Sequence, residues 1–402
     1  MKIKFTTSAL QSALALAGVV PPKSAIPTQP AAYLFMPTGS GTGVQIHSRD
    51  GLQEARAEVP CEAEDFDAPF LFAATYADAL SFSGEYVTFE TKEEQGTTLL
   101  GYVGERGNRS DRPLLDAALV LPITTPLDDD AQVFNVSTLL DALNQAKAFL
   151  PKLNDPTVEE PYKTVMLVDS ASTGKKIGTG HLYVSDSYRA FYCHTPDFEG
   201  KAFNLHGTYL PTVTSFLAKL GDSTVKVLST PRKLWLMGST AVLAVPGATK
   251  VHERVTLYTK DTVTLQVPRE LLVAALKYLR GDMESKLVKV KVLYEPDPGT
   301  LAFVAVNGST KSQSFPVPAK IKEGTEASTD SKTFQVNIDH LLSLVASCRG
   351  QVVEVRFNYQ SRDGQDMVLL RTVDEYHLSE EGKVVATGGA LCKATRYVGS
   401  MG

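Results

Sequence analysis

The chain has 402 residues, 43% of them hydrophobic and 21% charged, with a formal net charge of −5 and a pI near 5.9. That length suffices for two or three domains, and the near-average composition excludes wholesale disorder or a fibrous repeat. No run of about 18 apolar residues occurs, so no membrane partner is expected, and the mild acidity argues against nucleic-acid binding by simple electrostatic adhesion.

In chain order, Met1-Lys2-Ile3-Lys4-Phe5 alternates polar and apolar as a half-buried strand does, and Leu10, Leu14 and Leu16 follow at helical spacing. The uninterrupted apolar core of a signal peptide is missing, so a cytoplasmic location is expected. The strand-then-helix pattern returns weakly at 70–72 with Tyr76, Ala79 and Leu80. It returns at 133–136 with Leu139, Leu140, Leu143 and Phe149, and at 202–205 with Leu210, Val213, Phe216 and Leu217. The fifth copy is 263–267 with Leu271, Leu272, Ala275, Leu276 and Leu279; the sixth is 334–338 with Leu341, Leu342 and Val345. Ser137 and Thr138 read as caps of the third helix, Pro268 as the opening of the fifth, and Gly281 and Gly350 as stops. Further strand-like runs follow the helices, at 225–228, 234–237, 288–292 and 301–304. The repeat, roughly 60 to 70 residues long, is an α+β module of one helix and three or four antiparallel strands.

A helix on one small sheet cannot close a core alone, so six modules should pair into three domains of roughly 134 residues each. Pro122 to Asp130 and Tyr258 to Thr262 read as linkers, which gives domains 1–125, 126–258 and 259–402. Residues 154–161 and 320–332 read as exposed loops. Four cysteines (Cys61, Cys193, Cys348, Cys392) stand too far apart for a zinc site or disulfide framework and read as reduced.

Catalytic constellations are not found. Ala171-Ser172-Thr173-Gly174-Lys175-Lys176 has Asp169 where a phosphate loop needs glycine, and no helix follows, so it reads as a hairpin turn. Gly39-Ser40-Gly41-Thr42-Gly43 lies between strand-like runs and is also a turn. There is neither a Gly-x-Ser-x-Gly elbow nor a His-Glu-x-x-His pair, and the seven histidines show no ligand spacing. Asp128-Asp129-Asp130 reads as solvated charge in a linker. The chain is expected to use no cofactor or metal and to have no enzymatic activity.

On the fifth helix Arg269, Lys277 and Arg280 fall within one stripe about 80° wide. Leu271, Leu272, Ala275, Leu276 and Leu279 are expected to bury on the opposite stripe. Lys147, Lys152, Lys219 and Arg349 add basic charge on or beside the other helices, against Asp141, Glu270 and Asp339.

The order and spacing of these elements resemble the bacterial β sliding clamp, the DNA polymerase III β-subunit family, over nearly the whole chain. The residues that carry the resemblance are Met1 to Phe5, Gly18-Val19-Val20, Lys23 to Pro27 and Val44 to Leu52. His181 to Ala190 is the most specific match: Asp186 and Arg189 keep the family's residue types, while Ser185, Ser187, Tyr188 and Ala190 differ. Asn337 with Leu341-Leu342 matches a late helix start. The resemblance implies three tandem copies of a DNA-clamp domain forming half of a closed ring, with two protomers closing head-to-tail around double-stranded DNA. A ring retains its partner by topology and supplies effective concentration rather than tight grip. The implied ring lining is Lys23, Lys147, Lys152, Lys219, Arg269, Lys277, Arg280 and Arg349, only modestly basic, so DNA contact should be weak and salt-dependent.

The resemblance further implies that a DNA polymerase and a clamp loader dock by a short peptide motif in a hydrophobic groove. Its matching positions are Ser185, Tyr188, Arg189, Ala190, Asn337, His340, Tyr397, Val398 and Met401. The tail Tyr397-Val398-Gly399-Ser400-Met401-Gly402 departs from the family's ending by placing Gly399 and Ser400 where apolar surface is expected. Such divergence suits a clamp from a phage with its own polymerase. Two other readings stay open: a clamp-fold interaction scaffold that does not encircle DNA, and an enzyme with a divergent site at a domain junction.

Overall fold

A computed structural model describes residues 1–24, 30–39, 42–115, 117, 121–168, 180–186, 189–248, 250, 263–282, 289–295, 299–307, 310–321, 332–346, 348, 350–362, 365–378 and 384–396. The chain forms two compact units, residues 1–141 with 208–249 and residues 142–207 with 250–402. Among the described residues every strand pairing is antiparallel in both.

In the first unit, a five-stranded sheet runs in the order Glu62–Glu64, Lys2–Thr6, Tyr86–Glu94, Thr97–Gly104, Arg109–Pro113. An eight-stranded sheet runs Gln132–Asn135, Thr224–Ser229, Lys233–Met237, Ala241–Pro246, Glu54–Pro60, Gly43–Arg49, Ala32–Pro37, Phe70–Ala73. Alternation decides the first strand: Ile3 and Phe5 are buried while Lys2 and Thr6 are exposed. Phe5 packs edge-on against Phe35 and Phe89, and Phe35 stacks on Phe70 at 4.9 Å, so aromatic rings join strands of both sheets. Each such ring contributes about 2–3 kcal/mol by leaving water. The helix Thr7–Ala17 buries Leu10, Ala13, Leu14 and Ala17.

In the second unit, one sheet of 14 strands carries the path Phe203–His206, Thr164–Val168, His181–Ser185, Arg189–His194, Val384–Arg396, Lys332–Asn337, Lys289–Glu295, Thr300–Asn307, Thr310–Gln313. Val263–Pro268 pairs with Val352–Arg362, which leads through Gln365–Leu378 back to Val384–Arg396. The helices Arg269–Gly281 and Ile338–Ala346 pack against each other in this unit.

Five of the six expected helices form. The second copy does not: residues 74–76 and 78–82 make two short 3-10 turns, because three apolar residues close to one another cannot supply the two-turn stripe a helix needs. The cap of the third helix is Asn135, not Ser137 or Thr138, both of which donate to its Oδ1. Asn337 does the same for the sixth, its Oδ1 accepting from the N–H groups of Asp339 and His340, each cap contributing about 1 kcal/mol. Pro268 is the last strand residue before the fifth helix, and Gly281 is that helix's last residue, with Asp282 as its C-cap.

The stretch 122–130 has no regular structure, yet it is pinned. Ile123 is buried beside Trp235, Met237, Val242 and Ala244, its N–H donates to His47 Nδ1 at 3.1 Å, and Asp128 pairs with Lys226. All of the expected linker 258–262 and residues 322–331 of the loop 320–332 lie outside the described residues, as do 169–179 and 40–41. Among the described residues no helix is long and apolar enough to cross a membrane, and no cluster of His, Cys, Asp or Glu could hold a metal ion.

Candidate functional site

The hairpin joining His181–Ser185 to Arg189–His194 is closed by one acid. Asp186 N–H donates to the Arg189 carbonyl at 3.1 Å. Its carboxylate accepts from Arg189 N–H at 2.9 Å and from Arg189 Nε at 2.8 Å. Both side chains are largely buried, 10% exposed for Asp186 and 17% for Arg189. An ion pair held this way fixes the guanidinium in direction as well as charge.

That direction matters, because the same guanidinium reaches two other elements. It donates to Ser343 Oγ on the helix Ile338–Ala346 and lies over the Phe149 ring, 5.4 Å from its centroid. Phe149 in turn stacks on Phe191 at 5.4 Å. Ser185 Oγ donates to the Arg189 carbonyl at 3.0 Å, and Ala190 is buried with Tyr183, Tyr192, Met166 and Val168. Asn337 caps the helix that carries Ser343, and His340 sits half-buried on that helix. Burial, and then the Arg189 charge, holds the His340 imidazole below its ordinary pKa, against the pull of Asp186 and Asp339. The structure thus puts Ser185, Arg189 and Ala190 on one hairpin and, through the bond from Arg189 to Ser343, brings up the helix that Asn337 caps and that carries His340. Tyr188, Tyr397, Val398 and Met401 lie outside the described residues. Sequence reading missed Phe149 and Ser343 as members, since each joins only through the tertiary fold.

The expected basic residues divide between the units. Lys23 and Lys219 belong to the first unit, where Lys219 Nζ donates to the Ala15 carbonyl at 3.1 Å. Lys147, Lys152, Arg269, Lys277 and Arg280 belong to the second. On the helix Arg269–Gly281, Leu272, Ala275, Leu276 and Leu279 are at most 1% exposed, but Leu271 is 43% exposed. At 100° per residue Leu271 lies 40° beyond the edge of the arc set by the other four, so its expected burial does not occur. The basic stripe flanks the buried arc rather than opposing it. Lys277 is exposed and Arg269 half-buried, and Arg280 Nε pairs with Asp339 Oδ1 at 2.8 Å. Arg349 lies outside the described residues.

No protein-family model and no curated protein matches the sequence. Solved structures do match in fold. A DNA polymerase III β subunit from Thermotoga maritima is 14% identical, with a TM-score of 0.71 over 99% of this chain and 100% of that one. A DNA polymerase sliding clamp from Caulobacter crescentus is 15% identical with a TM-score of 0.73 over the same shares. A Helicobacter pylori β clamp, bound to a DNA ligase peptide, is 12% identical with a TM-score of 0.70, again over 99% and 100%. This chain therefore has the mixed helix-and-sheet fold of the bacterial DNA polymerase III β subunits along its whole length, at sequence identities that mark it as divergent from them.

Proposed function

We propose that the protein is a DNA sliding clamp, a non-enzymatic cytoplasmic processivity factor. It encircles double-stranded DNA as a head-to-tail homodimer and tethers the replicative polymerase, with a clamp loader docking by the same kind of short peptide motif. Domains 1–125, 126–258 and 259–402 each supply two modules to the half-ring.

One observation carries this reading. Ala241–Pro246 pairs with Glu54–Pro60, and Val384–Arg396 pairs with Arg189–His194. In each case the last strand of one domain's second module joins the third outer strand of another domain's first module. The third such pair would be Arg109–Pro113 with Thr310–Gln313. Among the described residues each of these has a strand neighbour on one side only. An exposed edge is an invitation to pair, and joining Arg109–Pro113 of one copy to Thr310–Gln313 of another repeats the junction and closes the ring.

In solution the protein is expected at twice its 43.5 kDa chain mass. Loaded complexes should stay on nicked circular DNA and leave when it is cut open. Adhesion would survive cutting. Replacing Arg269, Lys277 and Arg280 by Ala should leave the mass unchanged and flatten the salt dependence of loading by up to about two phosphate contacts, since Arg280 already answers Asp339. A triple variant with the wild-type salt slope would remove this helix from the lining.

The scaffold reading keeps one point in its favour: Thr7–Ala17 and Val136–Ala146 carry no Lys or Arg. A protein that binds peptides but is not released by linearisation, or never stays on circles, would establish it instead.

A further inference from the structure

In the first unit the strand Gly43–Arg49 shows Ile46 and Ser48 to one side and His47 and Arg49 to the other, as strand geometry requires. Register sets Arg56, His47, Leu34 and Leu71 directly opposite one another across four strands. Residues 121–123 lie alongside, and a cleft of about 240 Å³ is lined by this row's His47, Leu34 and Leu71, by Leu121 and Ile123, and by Lys23 and Arg49. Leu121 is 71% exposed and Leu52, on the adjoining turn, 63%.

Among the described residues, two buried donors on side chains that line this cleft have no acceptor. Ile123 N–H donates to His47 Nδ1, so the ring proton of neutral His47 resides on Nε2. Nε2 is buried with no partner, and so is Arg49 Nε, although the far end of Arg49 pairs with Glu54 at 2.7 Å. His47 itself is 4% exposed. Buried N–H groups without acceptors are rare in folded chains and mark places where something else supplies an oxygen. The nearby acids are already engaged: Glu54 by Arg49 and Lys233, Asp50 by Gln53 and the Leu52 N–H.

The turn beside the cleft repeats the Asp186–Arg189 hairpin bond for bond. Asp50 N–H donates to the Gln53 carbonyl at 3.1 Å, and the Asp50 carboxylate accepts from Gln53 N–H at 2.7 Å and Nε2 at 2.8 Å. Gly51 makes the turn possible at φ 97°. The registers coincide as well: Arg49 opposes Glu54 as Ser185 opposes Ala190, and Leu34 opposes His47 as Met166 opposes Tyr183. The first unit thus builds at Arg49, Gln53 and Glu54 what the second builds at Ser185, Arg189 and Ala190. Where the second unit fills that face with Tyr183, Tyr192 and Met166, the described residues of the first leave a cleft.

We propose that this cleft is a second peptide-docking site, taking an extended segment of a partner protein with an aliphatic side chain against Leu34, Leu71 and Leu121 and a carboxylate that enters beside Lys23 and Arg49 and reaches the His47 Nε2–H and Arg49 Nε–H donors, closed to solvent in the free chain, as the lining side chains shift to admit it. The charges suit an acid on the side of Lys23 and Arg49, with Arg56 in the same row, because Asp50, which also lines the cleft, is held by Gln53 and the Leu52 N–H. The volume admits one or two aliphatic side chains and excludes a folded domain.

The probe is the peptide acetyl-Leu-Leu-Asp-amide, titrated into full-length protein carrying ¹⁵N-labelled histidine. A saturable shift of the His47 ring signal is expected, with a Kd on the order of 0.1–1 mM and about tenfold weaker binding of the Asn analogue. Leu121→Asp, at an exposed position, should weaken the peptide about tenfold, and His47→Phe should abolish the preference for Asp over Asn. Arg189→Ala should leave this site's affinity unchanged. An unmoved His47 signal up to about 10 mM peptide, or wild-type affinity in Leu121→Asp, overturns the proposal. Clamp activity is read separately: Leu121→Asp should still be retained on circular DNA, so either reading can fail alone.

Discussion

Acidification from pH 7 to pH 4.5 is expected to cost the first unit about 2–3 kcal/mol through His47 alone. Burial, then the charges of Arg56 and Arg49, lowers the imidazole pKa from 6.5 to about 3. Between those values the unfolded chain binds the proton and the folded chain does not. Stability is therefore complete above about pH 6.5 and falls as pH drops toward 3. Protonation would also convert Nδ1 from an acceptor into a donor facing the Ile123 N–H, releasing residues 121–123 from the sheet. Trp235 is the single tryptophan and packs in the same cluster as Ile123, so its fluorescence reports this unit. Urea midpoints should fall more steeply with pH in wild type than in His47→Gln, which keeps an acceptor but cannot titrate. Parallel curves would show that His47 is charged or solvated in the folded state.

The six strand starts were legible because alternation and helical spacing are local, and the 60-odd-residue recurrence let each copy support the others. The hydrophobic faces of four helices followed from the same periodicity. What failed was local competition at the ends. Leu271 has the right chemistry for burial but the wrong angle, and three apolar residues near Tyr76 were too few for a helix. Ser137 and Thr138 drew the cap assignment away from Asn135, although Asn before an apolar-periodic run is itself the signal, and Asn337 repeats it. The candidate site was half visible. Asp186 and Arg189 stand three apart and suggest a closed turn, but Ser343 lies 154 residues from Arg189, a distance that only the pairing of Arg189–His194 with Val384–Arg396 and the packing of the late helix remove. The His47–Ile123 bond likewise spans 76 residues. Sequence pattern fixes which face a side chain occupies; it does not fix what arrives on that face from elsewhere in the chain.

Arg189→Ala is expected to destabilise the second unit by about 2–4 kcal/mol, more than any surface charge removal in this protein. The mechanism is the stranded partner: Asp186, 10% exposed, keeps its backbone donor but loses the Nε that balances its charge. The variant also uncovers Phe149 and leaves Ser343 Oγ without the guanidinium. Arg189→Lys should recover the charge but not the directed contacts, and so fall between. Asp186→Asn alone should cost less than Arg189→Ala, because an uncharged amide can stay buried and a guanidinium can turn toward water. The double variant should then cost less than the sum of the two single ones, by about 1–2 kcal/mol. Calorimetry resolves this from the first unit, whose Trp235 transition should not move. If Arg189→Ala shifts neither the second unit's transition nor the affinity for a polymerase peptide, the hairpin is ordinary surface and the docking groove must be sought elsewhere. If stability falls while Arg189→Lys restores it but not peptide affinity, the cation's direction, rather than its charge, is what the partner reads.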